Sequence, residues 1–89
     1  MKIIKNASAG TLESSDAYVE VTPNPQGLEV EVESVVLAQF GDAIRSVVQE
    51  VLTDCGVDSG YVRVVDRGAL DCVIRARVET ALLRGKEDQ

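Results

Sequence analysis

"DAYVEVTPNPQGLEVEVE", residues 16–33, is the stretch whose reading decides the fold. Its first half alternates: Ala17, Val19 and Val21 point one way, and Tyr18, Glu20 and Thr22 the other. Its second half alternates more strictly, with Leu28, Val30 and Val32 set against Glu29, Glu31 and Glu33. A period of two is that of a strand with one buried face, so both halves read as half-buried strands with the glutamates in water. Pro23, Pro25 and Gly27 separate them as a turn. Two alternating runs across a short turn predict an antiparallel hairpin. Upstream, "SAGTLES" reads as a further strand or an extended arm.

Beyond Ser34 the period changes. Val36, Phe40, Ile44, Val47, Val48, Val51, Leu52 and Cys55 recur at three and four residues, the stripe of one helix face. Phe40 is expected in the core with Val36 and Ile44, Ser34 as the N-cap, and Gly56 as the left-handed stop. Gly41, inside this helix, costs roughly 1 kcal/mol relative to Ala and marks close packing or tolerance. "YVRVVD", residues 61–66, is another strand. Leu70, Val73, Ile74, Val78, Ala81 and Leu82 then fit a second helix ended by Gly85, although "CVIRARV" alone also alternates like a strand. Arg75 and Glu79 have the i,i+4 spacing of a surface ion pair.

The order strand, strand, helix, strand, helix predicts an α+β fold. It would be a small two-layer sandwich, a mostly antiparallel sheet of three to four strands with two helices on one face. The 89 residues are expected to form a single domain, with 1–9 and 85–89 as loose ends.

Apolar residues make up 45% of the chain, which marks a globular protein. Its 15 acids against 9 bases leave a net charge of −6, which argues against nucleic acid and for a basic protein surface as partner. Apolar runs fall far short of the ~20 residues of a membrane span, and "MKIIKNASAG" does not read as a signal peptide. Cys55 and Cys72 make neither a disulfide framework nor a zinc site and are expected as small buried thiols in a reducing cytoplasm.

No histidine is present, so no Ser-His or Cys-His pair can form. Gly10 and Gly68 are isolated and make no phosphate loop. Among fifteen acids, two can still meet in space as a carboxylate pair. No catalytic residue and no metal site is expected. "LESSD", residues 12–16, has two readings: a loop of local side-chain to backbone bonds, or an exposed serine offered to another enzyme. Spacing does not choose between them.

Three blocks decide further: "AGTLESSD" at 9–16, "QFGDAIR" at 39–45 and "VVDRGALDCVIRARVETALLR" at 64–84. In this order and spacing they resemble the acyl carrier (gamma) chains of citrate lyase over nearly the whole sequence. The resemblance implies a non-catalytic carrier subunit active in citrate fermentation. It would bear phosphoribosyl-dephospho-coenzyme A, joined by a phosphodiester to the serine of Gly-Thr-Leu-Glu-Ser-x-Asp. By register that serine is Ser14, with Ser15 at the variable position. The implied partners are the alpha subunit, which exchanges acetyl for citryl on the arm, and the beta subunit, which cleaves the citryl thioester to oxaloacetate. A prosthetic-group transferase and an acetylating ligase complete the set. The helical fatty-acid carriers differ, since this chain has no Asp-Ser-Leu. Glu13 and Asp16 become candidates for recognition by the transferase, and Arg75 and Arg77 for holding phosphates of the arm or a partner. "GALDC" around Cys72 belongs to the family pattern, with no role that follows from it. The rival readings are an unmodified acidic adaptor and the related carrier of malonate decarboxylase.

Overall fold

A computed structural model describes residues 1–35 and 37–86, with the backbone alone at 37–39. Four strands, β1 (Ala7–Gly10), β2 (Ala17–Thr22), β3 (Leu28–Ser34) and β4 (Gly60–Asp66), form one sheet in the order β1-β2-β4-β3. Two helices, α1 (Leu37–Asp54) and α2 (Asp71–Gly85), complete the fold. β1 pairs antiparallel with β2, β2 antiparallel with β4, and β3 parallel with β4. The sheet is therefore mostly antiparallel and the fold is α+β, as the element order predicts.

The expected β2–β3 hairpin does not form: β4 is inserted between the two strands. Charge supplies the reason. All three outward residues of β3 are glutamates, and pairing β3 with β2 would bring Glu20 into their row. β4 instead places Arg63 opposite Glu20 on one side and Glu31 on the other. Arg63 bonds Glu20 at 2.7 Å and Glu33 at 3.4 Å, knitting the three strands across the open face. The link from β3 through α1 to β4 is then a parallel crossover, which requires an intervening element of this length.

Inward residues of the alternating strands meet the helices. Val19, Val21, Val62 and Val64 are buried, as are Ile44, Val47, Val48, Val51 and Leu52 of α1 and Ile74, Val78, Ala81 and Leu82 of α2. α2 packs over β1 and β2, α1 packs over β3, and the two helices touch.

Several expectations are corrected here. Phe40 is 54% exposed and is not core. Leu70 is 72% exposed and precedes α2 as its N-cap instead of joining its stripe. Ser34 is the last residue of β3, and its hydroxyl donates to Asp66 at 2.7 Å; the helix start it was expected to cap adjoins Val36, outside the described residues. Both cysteines are exposed free thiols, Cys72 in the first turn of α2 and Cys55 just past α1. Desolvation, with the Glu79 and Asp54 charges, pushes the Cys55 thiol up. Arg75 pairs with Glu50 on α1, across the contact between the two helices, and not with Glu79 among the described residues. Val36 and the 87–89 tail lie outside the described residues.

Gly56 stops α1 as expected, at φ +66°. Its N–H donates to the Thr53 carbonyl at 3.0 Å and that of Val57 to Leu52 at 3.0 Å, the paired bonds of a Schellman end. Gly85 serves a different purpose: a Cβ there would come within 2.7 Å of Val21 Cγ2, so the glycine lets α2 approach β2.

Residues 1–9, expected as a loose end, are tied down. Ile3 is buried, its N–H donates to Ser59 at 3.1 Å, and Ile4 donates to Gly85 at 2.9 Å. The N-terminal ammonium donates to Gly56 at 2.7 Å. Gly85 and Lys86 are held from the other side, since Lys86 bridges Ile3. No described helix is long and apolar enough to cross a membrane.

Candidate functional site

The two serines lie in the connection from β1 to β2, residues 11–16. The antiparallel pairing brings Gly10 opposite Tyr18, so the segment must reverse the chain. At its start Gly10 has φ +91°, and a Cβ there would lie 1.9 Å from the Ala17 carbonyl oxygen. Only glycine lets the two legs of the loop close this tightly.

The segment is not extended, as adjacent serines facing opposite ways would require. The Asp16 N–H donates to the Glu13 carbonyl at 3.2 Å and closes a turn with Ser14 and Ser15 at its centre. Ser15 takes φ +66°, a left-handed conformation that costs an L side chain about 1–2 kcal/mol. Neighbouring bonds offset the strain: Ser15 N–H donates to the Arg67 carbonyl at 2.8 Å, and Arg67 N–H to the Asp16 carbonyl at 2.9 Å. The β2–β4 ladder thus runs on into the loop, past its last strand pair Ala17–Asp66. Thr11 through Ser15 are exposed. The Ser14 hydroxyl makes no hydrogen bond among the described residues.

Asp16 is the fastener. Its carboxylate accepts from Thr11 Oγ1 at 2.6 Å, Ala17 N–H at 2.7 Å, and Arg77 Nε and Nη2 at 3.0 Å each. Thr11 Oγ1 in turn accepts the Glu13 N–H at 3.3 Å. The Arg77 guanidinium, then the Thr11 and Ala17 bonds, hold the Asp16 carboxyl well below the usual carboxylate range. So stabilised an anion is a poor base. Among the described residues, no group bonds the Ser14 hydroxyl as a base would.

Of the residues singled out in the sequence, Ser14, Ser15, Asp16 and Arg77 converge here. Arg75 does not, being joined to α1. Asp66 went unread. It is 1% exposed, accepts from Ser34 and from the Ala69 N–H at 2.9 Å, and pins the turn after β4 from which Arg67 reaches the loop. Strand alternation puts Asp66 on the inward side with Val62 and Val64, and a carboxylate in that row was its signal. Beside it, Phe40, Ile44, Ala69 and Leu70 line an apolar hollow of about 440 Å³. Among the described residues, no group of three or more acids and cysteines is placed to hold a metal ion.

Residues 4–85 match the profile of an acyl carrier protein family described as malonate decarboxylase delta subunit (MdcD). The chain is 54% identical over 89 residues to the citrate lyase acyl carrier protein of Cronobacter sakazakii, spanning 100% of this chain and 92% of that one. It is 54% identical over 89 residues to that of Albidiferax ferrireducens, spanning 99% and 91%. Identity to citrate lyase acyl carrier protein 2 of Salmonella typhimurium is 52% over 88 residues, spanning 98% and 91%.

Proposed function

The chain belongs to the citrate lyase acyl carrier protein family, and on that premise we propose that Ser14 is where its prosthetic group is joined. The group is phosphoribosyl-dephospho-coenzyme A, linked through a phosphodiester, and when bound it supplies a thiol that takes up the acyl cargo. The observation that carries this reading is the Ser14 hydroxyl: exposed, unbonded among the described residues, and set on a turn whose backbone is tied on both sides. A hydroxyl is the oxygen a phosphodiester needs, and an open turn leaves room for a large substituent.

In the attachment step the Ser14 oxygen forms a bond to the first phosphorus of a triphosphoribosyl precursor. The bond from that phosphorus to the outgoing pyrophosphate breaks, and the hydroxyl proton passes to a base of the attaching enzyme. This chain's part is to present the oxygen and to exclude its own carboxylate from the reaction, since Asp16 is held by Arg77. It acts as a non-catalytic subunit of the citrate lyase complex, moving its cargo between the acyl-exchanging alpha and citryl-cleaving beta subunits after acetylation by a ligase. Tethering converts the second encounter into an intramolecular one, at roughly millimolar effective concentration for a short flexible link. Two exposed, unpaired cysteines suit a reducing cytoplasm.

The test is to incubate the carrier with transferase and precursor and locate the added mass by peptide fragmentation. It should fall on Ser14. Ser14→Ala should remain unmodified and leave reconstituted citrate lyase inactive, whereas Ser15→Ala should still be modified. Mass on Ser15, or a modified Ser14→Ala chain, would overturn the assignment. The family profile's description favours one second reading, a carrier for malonate decarboxylase. Reconstitution of the modified chain with each set of partner subunits separates the two.

A further inference from the structure

We infer that Arg77 is a positioning residue for attachment at Ser14: through Asp16 it holds the turn in the shape the attaching enzyme recognises. What that enzyme reads is then a folded turn and not the linear stretch from Gly10 to Asp16. The inference rests on the reading of Ser14 as the attachment point, and it assigns a role to a helix residue that lies 61 positions from Asp16.

The geometry is specific. Arg77 meets Asp16 through two parallel bonds of 3.0 Å, a planar fork on a planar carboxylate that lysine does not reproduce. Its stem runs across Gly10, where an added Cβ would come 3.0 Å from Arg77 Cδ. The guanidinium therefore passes over the base of the loop to reach Asp16 on the far leg. Thr11, on the near leg, donates to the same carboxylate at 2.6 Å. One anion thus joins both legs of the loop and the helix layer beneath it. Without Arg77 the loop keeps the backbone bonds to Arg67, but Asp16, the neighbour of the left-handed Ser15, loses its anchor to α2. The Ser14 oxygen then samples directions that an active site built for one direction cannot use.

Arg75 supplies the internal comparison. It sits on the same helix and makes an ion pair of its own, but with Glu50, which ties helix to helix and leaves the loop alone. Arg75→Gln therefore removes a similar surface pair without touching the turn.

The experiment measures attachment kinetics by intact mass for the full-length wild-type chain, Arg77→Gln, Arg77→Lys and Arg75→Gln, varying carrier and precursor in turn. Arg77→Gln should lower kcat/KM for the carrier by about tenfold or more, leaving KM for the precursor unchanged. Arg77→Lys should fall between, and Arg75→Gln should match wild type. Amide exchange at Ser15, read in the same proteins by NMR, should accelerate in Arg77→Gln, less so in Arg77→Lys, and not in Arg75→Gln. Should Arg77→Gln fail to fold, Arg77→Lys and Thr11→Val carry the comparison. Wild-type kcat/KM in a folded Arg77 variant would overturn the inference. So would a raised KM for the precursor with the carrier's kcat/KM unchanged, which would make Arg77 a phosphate contact. Ser14→Ala, run alongside, separates the two levels: if it is still modified, the attachment reading has failed. If it is not modified while Arg77→Gln behaves as wild type, only the positioning role has failed.

Discussion

Replacing Gly10 by alanine tests how the serine turn is built. The new Cβ would lie 1.9 Å from the Ala17 carbonyl oxygen and 3.0 Å from both the Ala17 carbonyl carbon and Arg77 Cδ. Relief requires the backbone of Ala17 to retreat by roughly 1 Å, a displacement of the size that close-packed interiors resist. Ala17 has no exposed surface, and its strand is paired on both sides, to β1 and to β4. Two costs add: about 1–2 kcal/mol for a side chain at φ +91° and about 1–3 kcal/mol for overpacking. A loss of about 2–5 kcal/mol is a large share of the 5–15 kcal/mol that holds a domain folded. With each kcal/mol shifting Tm by about 4–8 °C at this size, the fall should be about 8 °C or more. Gly56→Ala is the control, because Gly56 also has positive φ but nothing within 4 Å of an added Cβ, so it bears the conformational cost alone. Thermal melts of the two variants by circular dichroism, with urea titrations to check that the m-value is unchanged, decide the matter. A Gly10→Ala chain melting within about 4 °C of Gly56→Ala would refute the clash and with it the tight closure of the loop.

Phe40→Ala should be mild, about 1 kcal/mol, because the ring is 54% exposed. Leu52→Ala, at 1% exposure, should cost about 2–5 kcal/mol; equal denaturation midpoints for the two would contradict the described core. Asp16 governs part of the acid limb. Its carboxyl is depressed below the ordinary 3.8 in the folded chain, so its contribution is complete above that value and is lost as pH falls from there toward the folded value. Asp16→Asn should therefore lose less stability than wild type on acidification below about pH 4, and parallel curves of Tm against pH would show that the Arg77 fork does not form in solution.

Alternation and helical spacing were enough to read the faces of β2 and β3 and most of the buried stripe of each helix, because each reports which side of an element is buried. Neither reports which element is its neighbour. The 16–33 stretch identifies two strands correctly, yet the adjacency that suggests a hairpin is outweighed by four glutamates that would meet on one face. Arg63, the only base in the strand that separates them, was visible in the sequence as the residue able to sit between. Phe40 fails for a related reason: spacing marks the side of α1 but not how far along that side the core extends. Arg75 and Arg77 look equivalent on their helix, and only the tertiary fold sends one to Glu50 and the other to Asp16.

The candidate site was legible to a different degree, because its stretch has a separate physical reason at almost every position. Gly10 admits the close approach of Ala17, Thr11 spans the legs, Ser15 takes the left-handed backbone, and Asp16 gathers the bonds. Neither serine bonds through its hydroxyl among the described residues, so the backbone separates them: Ser15 takes the left-handed conformation and Ser14 does not. The doubled serine follows from this division. Position 15 must tolerate φ +66° and keep its N–H on Arg67, a backbone demand that a small polar residue meets at moderate cost, whereas position 14 is free to be chosen for its oxygen. Because the turn fixes the two hydroxyls relative to Arg67 and Asp16, an enzyme docking on this end of the sheet can select one of them by shape, with no sequence difference between the two residues to guide it.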